Sequence, residues 1–557
     1  MEINKEGRIS IIYHSGNVSN FVAPLLPDSI GGLKSLSMLK VENNNDVGEL
    51  PHSIGELLDL KHLSLHCCTV LSKLPNSIGE LRSLLCLDLS CTRISIVPDS
   101  IGRLEQLLKM DLSHTNIAEL PNSIGNLRRL KFMCLDGTKI RELPKSIWTL
   151  ENLEELIAKG CQNLKGKIPS EITGLSKLTI LNLSKSMISR LPTTINRLSN
   201  LQELVLSCCV KLQSLPNLPT SLRKLELSSS SLQEIPDLSN LTNLLHLDVS
   251  DRAFDFKLFK TTQGRVPIPN LECLGRLHEL QMLRLVLSNS NLPPTDLSSL
   301  SQLRSLEITC PDPRSLIGLP SNLEDLSLED VETPTKWPWS SNLGNLSQLK
   351  LFGCRLRKIE FDSELGQLKS VQHLQVRECI WLVTLSNLSS LKELRVLSVE
   401  YCPHLTEIES QPSSTGDCSS TERPIPDAPK LEKLQSLRVY YCESVQKLPT
   451  IPNACDVEVS PPKYVRRSES GPVFIEDLAD SREAMNMETW ARFSESEIFQ
   501  EEFTEEDLGP RDLSPLRTSP EKENLGPRGL SPLSLAHLLV SFWRWFIGKI
   551  KSMKRQE

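Results

Sequence analysis

One leucine spacing, Leu-x-x-Leu-x-x-Leu-x-Leu, recurs about seventeen times between Leu33 and Val439, and it constrains the chain more than any other feature. Regular copies run through Leu81, Leu84, Leu87 and Leu89, and through Leu198, Leu201, Leu204 and Leu206. Indexed on the third apolar position, the units fall at Leu39, Leu63, Leu87, Met110, Met133, Leu156, Leu181, Leu204, Leu225, Leu247, Leu283, Leu306, Leu326, Leu349, Leu374, Leu397 and Leu437. Steps are 20 to 25 residues, except 36 from Leu247 to Leu283 and 40 from Leu397 to Leu437. The long steps place insertions near 251–270 and 409–429, and the second is Ser/Pro/Thr-rich, as a surface loop is.

Within each unit the index residue and the apolar residue two positions on alternate with polar ones, as in Leu87-Asp88-Leu89-Ser90. That is the period of a strand with one buried face. A single unit cannot bury its own leucines, so neighbours must stack. The expected fold is α/β: a leucine-rich-repeat solenoid with a curved parallel sheet and short helices or turns on the convex side. Its expected limits are 25–455. Residues 1–24 read as an N-terminal stub or degenerate cap, 456–533 as a disordered Ser/Pro/Glu-rich linker, and 534–552 as an apolar-basic helix.

Five residues after the index a small residue recurs: Asn44, Cys68, Thr92, Thr115, Thr138, Cys161, Ser186, Cys209, Ser230, Cys354, Cys379, Cys402 and Cys442. An inward-facing ladder of this kind would satisfy backbone groups that burial leaves without water. The connectors carry a second signature, Leu26-Pro27-Asp28-Ser29-Ile30-Gly31, repeated at 50–55, 74–79, 97–102 and 120–125. Its Pro suits the first turn of a short helix.

The Leu-Pro-x-Ser-Ile-Gly connectors, with Cys and Thr alternating on the ladder, resemble the repeat region of plant intracellular immune receptors. These are the nucleotide-binding leucine-rich-repeat type with an N-terminal TIR module. Leu87-Asp88-Leu89-Ser90-Cys91-Thr92-Arg93-Ile94 and Leu204-Val205-Leu206-Ser207-Cys208-Cys209 carry the resemblance most clearly, and it covers about 25–455. It implies a region that senses a pathogen protein or a guarded host protein. The TIR and nucleotide-binding modules have no counterpart in the sequence. The nearest approach to a phosphate loop, Gly160 to Gly166-Lys167, is one residue too long and is followed by Ile168. No cofactor is expected.

A net charge of −7 and few aromatics argue against nucleic acid as a partner. Most of the sixteen cysteines sit on or beside the ladder and read as free thiols; their spacing matches no zinc motif, so no metal is expected. No triad or carboxylate pair stands out, so the chain reads as a non-enzyme. The N-terminus lacks a signal-peptide pattern, which points to the cytoplasm, with nucleocytoplasmic or peripheral-membrane placement as variants. The 534–552 segment, with Trp543, Trp545 and a basic end, suits either the membrane surface or docking on the solenoid. Leu508–Leu516 and Leu525–Leu533 are near copies of each other.

Strand residues expected on the concave, outward-facing side of the sheet are mostly small or acidic in the N-terminal half: Asp88, Ser90, Asp111, Ser113, Asp136 and Asn182. They become larger and mixed towards the C-terminus: Lys350, Phe352, His373, Arg377, Glu400, Arg438 and Tyr440. The second set has the composition of a protein-binding patch. The expected role is therefore protein recognition in defense signalling. The alternative is a scaffold for small GTPases, like the Ras-group leucine-rich-repeat proteins.

Overall fold

The computed structural model describes residues 26–460, apart from 234–236, 252–270, 288–291, 334–342, 362–367 and 411–430. It also describes the backbone strands Glu2–Ile3, Ile9–Ser15, Tyr464–Arg466 and Val473–Glu476. Both expected insertions lie almost wholly outside these residues. So do the connector Trp337-Pro338-Trp339, the duplicated Pro-containing segments and the 534–552 segment.

Every index residue sits in a strand of one 20-stranded sheet. Successive index residues are paired in register, Leu39 with Leu63, Leu63 with Leu87, and so on to Leu397 with Leu437. All pairings in this sheet are parallel except that of Glu2–Ile3 with Ile9–Ser15. The index leucines and those two residues on are 0–1 % exposed from Leu39 to Leu89, so one face of each strand supplies a continuous core. Full burial of one such side chain is worth about 1.5–3 kcal/mol.

The sheet runs two strands beyond the expected N-terminal boundary, Ile9–Ser15 and then Glu2–Ile3, and one beyond the C-terminal boundary. Ile9–Ser15 pairs with Met38–Glu42, which puts a strand inside the 1–24 segment. Asp456–Ser460 pairs with Ser436–Tyr440 and lies inside the expected 456–533 linker. Neither carries the leucine pattern.

The return segments differ along the chain. From Asp28–Gly32 to Thr193–Arg197 each carries one five-residue 3-10 turn, preceded in two of them by the parallel-paired strands Lys165–Lys167 and Met187–Arg190, and no α-helix occurs among the described residues. The connector Pro stands just before the turn rather than inside it, with φ between −65 and −79° from Pro27 to Pro192. Its carbonyl accepts the Ile N–H three residues on, at 2.9 Å for Ile30 to Pro27. Towards the C-terminus the return path becomes a second sheet: Lys358–Glu360, Thr384–Ser386, Glu407–Ile408 and Lys447–Leu448 pair in parallel.

The ladder residues divide into two chemistries. Thr92, Thr115 and Thr138 donate to the carbonyl three residues back in their own turn, at 2.7–2.8 Å. Cysteines instead reach the preceding repeat: Cys68 to the Val41 carbonyl at 3.2 Å, Cys161 to Leu135 at 3.0 Å, Cys209 to Leu183 at 3.2 Å, and Cys442 to Val399 at 3.7 Å. Cys379 and Cys402 make longer versions, at 3.9 and 4.0 Å. Cys354 is buried and reaches the Phe352 carbonyl of its own turn, at 3.8 Å. Asn44 accepts from the N–H groups of Asp46 and Val47.

One ladder position is displaced. Ser229, not Ser230, is the fully buried residue of its repeat, and its hydroxyl donates to the Leu212 carbonyl at 2.7 Å. Cys310 likewise sits four residues after its index Leu306, where the regular repeats have five. Regular turns take one left-handed residue before the ladder position, as at Asn43, Cys67, Cys91, His114 and Gly137; the Leu225 and Leu306 repeats lack it.

Thr115→Val keeps the shape but leaves the Leu112 carbonyl without its donor. The expected cost is about 1–2 kcal/mol, read as a lower urea midpoint at unchanged slope. A midpoint equal to that of the native chain would mean the threonine hydroxyl contributes nothing there.

Candidate recognition surface

Parallel register turns outward-facing residues into rows. Lys350, Gln375, Ser398, Arg438 and Glu458 form one row across the C-terminal strands. Phe352, Arg377, Glu400, Tyr440 and Ser460 form the next. His373 lies in a third, between Gln348 and Val396. The seven residues singled out from sequence thus share one face, in neighbouring rows about 6.6 Å apart along the strands. Lys350, His373 and Arg438 are exposed, and Phe352, Arg377, Glu400 and Tyr440 are half-buried.

Arg377 organises this face. Its guanidinium carbon lies 5.9 Å from the Phe352 ring centre and 5.6 Å from that of Tyr401. Tyr401 stacks on Tyr441 with centroids 4.8 Å apart and planes 9° from parallel. A phenyl, a guanidinium and two phenols therefore form a continuous stack across four repeats. The Arg377 Nε lies 3.4 Å from a Glu378 oxygen and 3.7 Å from one of Glu400. Glu400 also accepts from Gln375 at 3.2 Å and Ser398 at 2.8 Å, which fixes its carboxylate. Farther along, Arg438 Nε lies 3.5 Å from Glu458, and the Tyr440 hydroxyl donates to the same carboxylate. That hydrogen bond to Glu458 is the main reason the Tyr440 phenol is pushed up to about 12.

Tyr401 and Tyr441 were not singled out from sequence, yet they are 43 % and 53 % exposed and carry the stack. Both occupy the left-handed position four after the index, with φ of 53°. Strand alternation stops one residue earlier, so the pattern treats them as turn residues. The signal was available: the same column holds Asn43, Gly137, Gly160 and Gly353, residues suited to that conformation. Ile380 and Trp381, 47 % and 52 % exposed, follow Glu378 on the adjoining turn.

The other outward rows are more varied than the acidic residues suggest. Phe132, Ile157 and Ile180 also face outward, half-buried, at the centre of the N-terminal half. In the middle repeats Arg284 bridges two carboxylates, with Nε 2.9 Å from Glu307 and Nη1 3.1 Å from Asp248. Burial pushes the Asp248 carboxyl up to about 6, against the pull of Arg284.

Spacing along the chain offered no metal-ligand set, but register assembles a small one. His66, Cys67 and Cys91 place a ring nitrogen and two sulfurs within 4.8 Å of one another. The cysteines described are free thiols. Among the described residues no helix is long and apolar enough to cross a membrane.

A family described as leucine-rich repeat region matches residues 162–352. A probable disease resistance protein of Arabidopsis thaliana is 32 % identical over 154 residues, which are 25 % of this chain and 15 % of that protein. The disease resistance protein RPP4 of the same plant is 27 % identical over 253 residues, 42 % of this chain and 20 % of RPP4. The matches thus span about a fifth or less of the length of these relatives. Among solved structures, a leucine-rich-repeat protein of Leptospira interrogans aligns at 26 % identity and a TM-score of 0.46, over 71 % of this chain and 85 % of that one. The plant peptide hormone receptor RGFR1, in complex with RGF2, aligns at 20 % identity and a TM-score of 0.42, over 82 % and 83 %.

Proposed function

We propose that this leucine-rich-repeat chain, similar to the repeat regions of plant disease resistance proteins, is a protein-recognition module that acts in defense signalling. Its partner is a pathogen protein or a guarded host protein, met in the cytoplasm. The partner is gripped by the C-terminal rows and their turn edge. The observation that carries this reading is the Phe352–Arg377–Tyr401–Tyr441 stack. Tyr and Arg dominate the energetics of protein interfaces. Here they are already held by stacking and by the Glu400 network, so ordering them on binding costs little.

The test compares capture from extracts of infected plant tissue by three chains: native, Arg377→Glu with Arg438→Glu, and a control with Lys40→Glu and Lys109→Glu on the distant N-terminal rows. The proteins retained by the native chain should be lost by the first variant and kept by the second. Each glutamate of the first variant sets a charge beside Glu400 or Glu458, so the expected loss is at least tenfold in affinity, with circular dichroism unchanged. Equal capture by all three chains would remove the C-terminal rows as the recognition surface.

A further inference from the structure

We infer that His66, Cys67 and Cys91 form a binding site for a thiophilic divalent cation, zinc above all, at the turn edge of the second and third regular repeats. Cys67 and Cys91 occupy the left-handed position of consecutive turns, each with φ of 56°. Their backbones are locked by one ladder, Cys67 N–H to the Ser90 carbonyl at 2.9 Å and Cys91 N–H to that of Ser113 at 2.8 Å. His66 immediately precedes Cys67, and its Nε2 lies 3.2 Å from the Cys67 sulfur. All three side chains are half-buried, unlike the buried ladder cysteines, whose sulfurs are engaged with carbonyls.

Hydrogen bonding sets the imidazole tautomer that a metal needs. The Ser90 hydroxyl donates to Asp88 Oδ1 at 2.5 Å, so its oxygen is left to accept from His66 Nδ1, 2.7 Å away. The proton therefore resides on Nδ1 and the lone pair on Nε2, facing the sulfurs. A histidine ligand held through its other nitrogen by a hydroxyl and a carboxylate is the arrangement that orients zinc-bound imidazoles. Zinc–sulfur bonds of about 2.3 Å place two ligand sulfurs about 3.8 Å apart on a tetrahedron. The present separations, all within 4.8 Å, need side-chain rotations of about 1 Å and no backbone change. Binding would release the thiol protons to solvent. The Cys91 thiol is pushed up to about 11 by burial first, then by Cys67 and by the Asp111 and Asp88 carboxylates. Those same carboxylates favour a bound dication. Three protein ligands leave the fourth position to water or to a donor from a bound partner.

The full 557-residue chain, reduced and stripped with a chelator, is titrated with Co2+ as the optical probe and then with Zn2+. One Co2+ per chain should bind with a thiolate-to-metal charge-transfer band, which Zn2+ then abolishes. Cys67→Asn and Cys91→Asn, whose new side chain tolerates the left-handed backbone, should lose the band without loss of circular dichroism. Cys208→Asn, at the same register position elsewhere, should keep it. Ser90→Ala should weaken binding about 10–100-fold with an unaltered band, and Ser90→Thr should restore it. Three results would overturn the site. One is no charge-transfer band. Another is a band that survives both asparagine variants. The third is a Cys67–Cys91 disulfide in the isolated chain with no metal uptake after reduction.

Discussion

Gly102→Ala is expected to cost about 3 kcal/mol and to loosen the N-terminal stack, from the regular connectors outward. Gly102 lies in the 3-10 turn Asp99–Arg103, against the matching turn of the next repeat. A Cβ built there would stand 2.5 Å from the Ser123 carbonyl oxygen and 2.7 Å from the Ser123 Cβ. Backbone cannot yield as a flexible side chain can, so the two repeats must separate. Separation also strips packing from Ile101 and Ile124, both fully buried. Because each repeat holds mainly its neighbours, the damage should spread along the array as a broadened unfolding transition. Gly32→Ala is the matched control, since nothing lies within 4 Å of its added Cβ. Chemical denaturation followed by circular dichroism reads both. Equal midpoints for the two variants would mean that the turns have room to part and that close stacking does not select the glycine.

Arg284→Met should produce the other large effect, and one that depends on pH. Arg284, Asp248 and Glu307 are only 18–27 % exposed, and the arginine separates the two carboxylates. Its removal leaves two neighbouring anions with little water. The expected loss is about 2–3 kcal/mol near pH 8, below the roughly 3–5 kcal/mol of a fully buried broken pair. The sign with pH follows from Asp248. Its carboxyl is raised from 3.8 to about 6 in the folded chain, so the folded state holds the proton more tightly than the unfolded one. That contribution is complete below about pH 4 and is lost as pH rises through about 6. Without Arg284 the carboxyl rises further, and ionising it costs more. The gap between native and variant chains should therefore be wide at pH 8 and narrow at pH 5, read by urea midpoints at the two values. A gap of the same size at both would show that the arginine acts through packing of its stem and not through charge.

The leucine period determined the strands. A leucine three, six and eight residues on can be buried only if each unit adds a strand beside the last, so every index position from Leu39 to Leu437 was legible. The connector Pro and Gly also told where the return turns fall, because Pro presets the entry angle and Gly permits the close approach at Ser123. Local pattern could not tell that Ser229 replaces Ser230, since dropping the left-handed residue changes a turn by one position without changing its chemistry.

What a side chain meets across the stack was decided by tertiary structure alone. Arg377 lies 25 residues from Phe352 and 24 from Tyr401, and units of 20 to 25 residues do not stay aligned by counting. Hydrogen-bonded register aligns them, and it puts the guanidinium between the two rings. The same register joins His66 and Cys67 to Cys91. Burial of leucine is a requirement each repeat states for itself, so it can be read in one dimension. A recognition or metal site belongs to no single repeat, and it exists only once neighbouring strands have been set side by side.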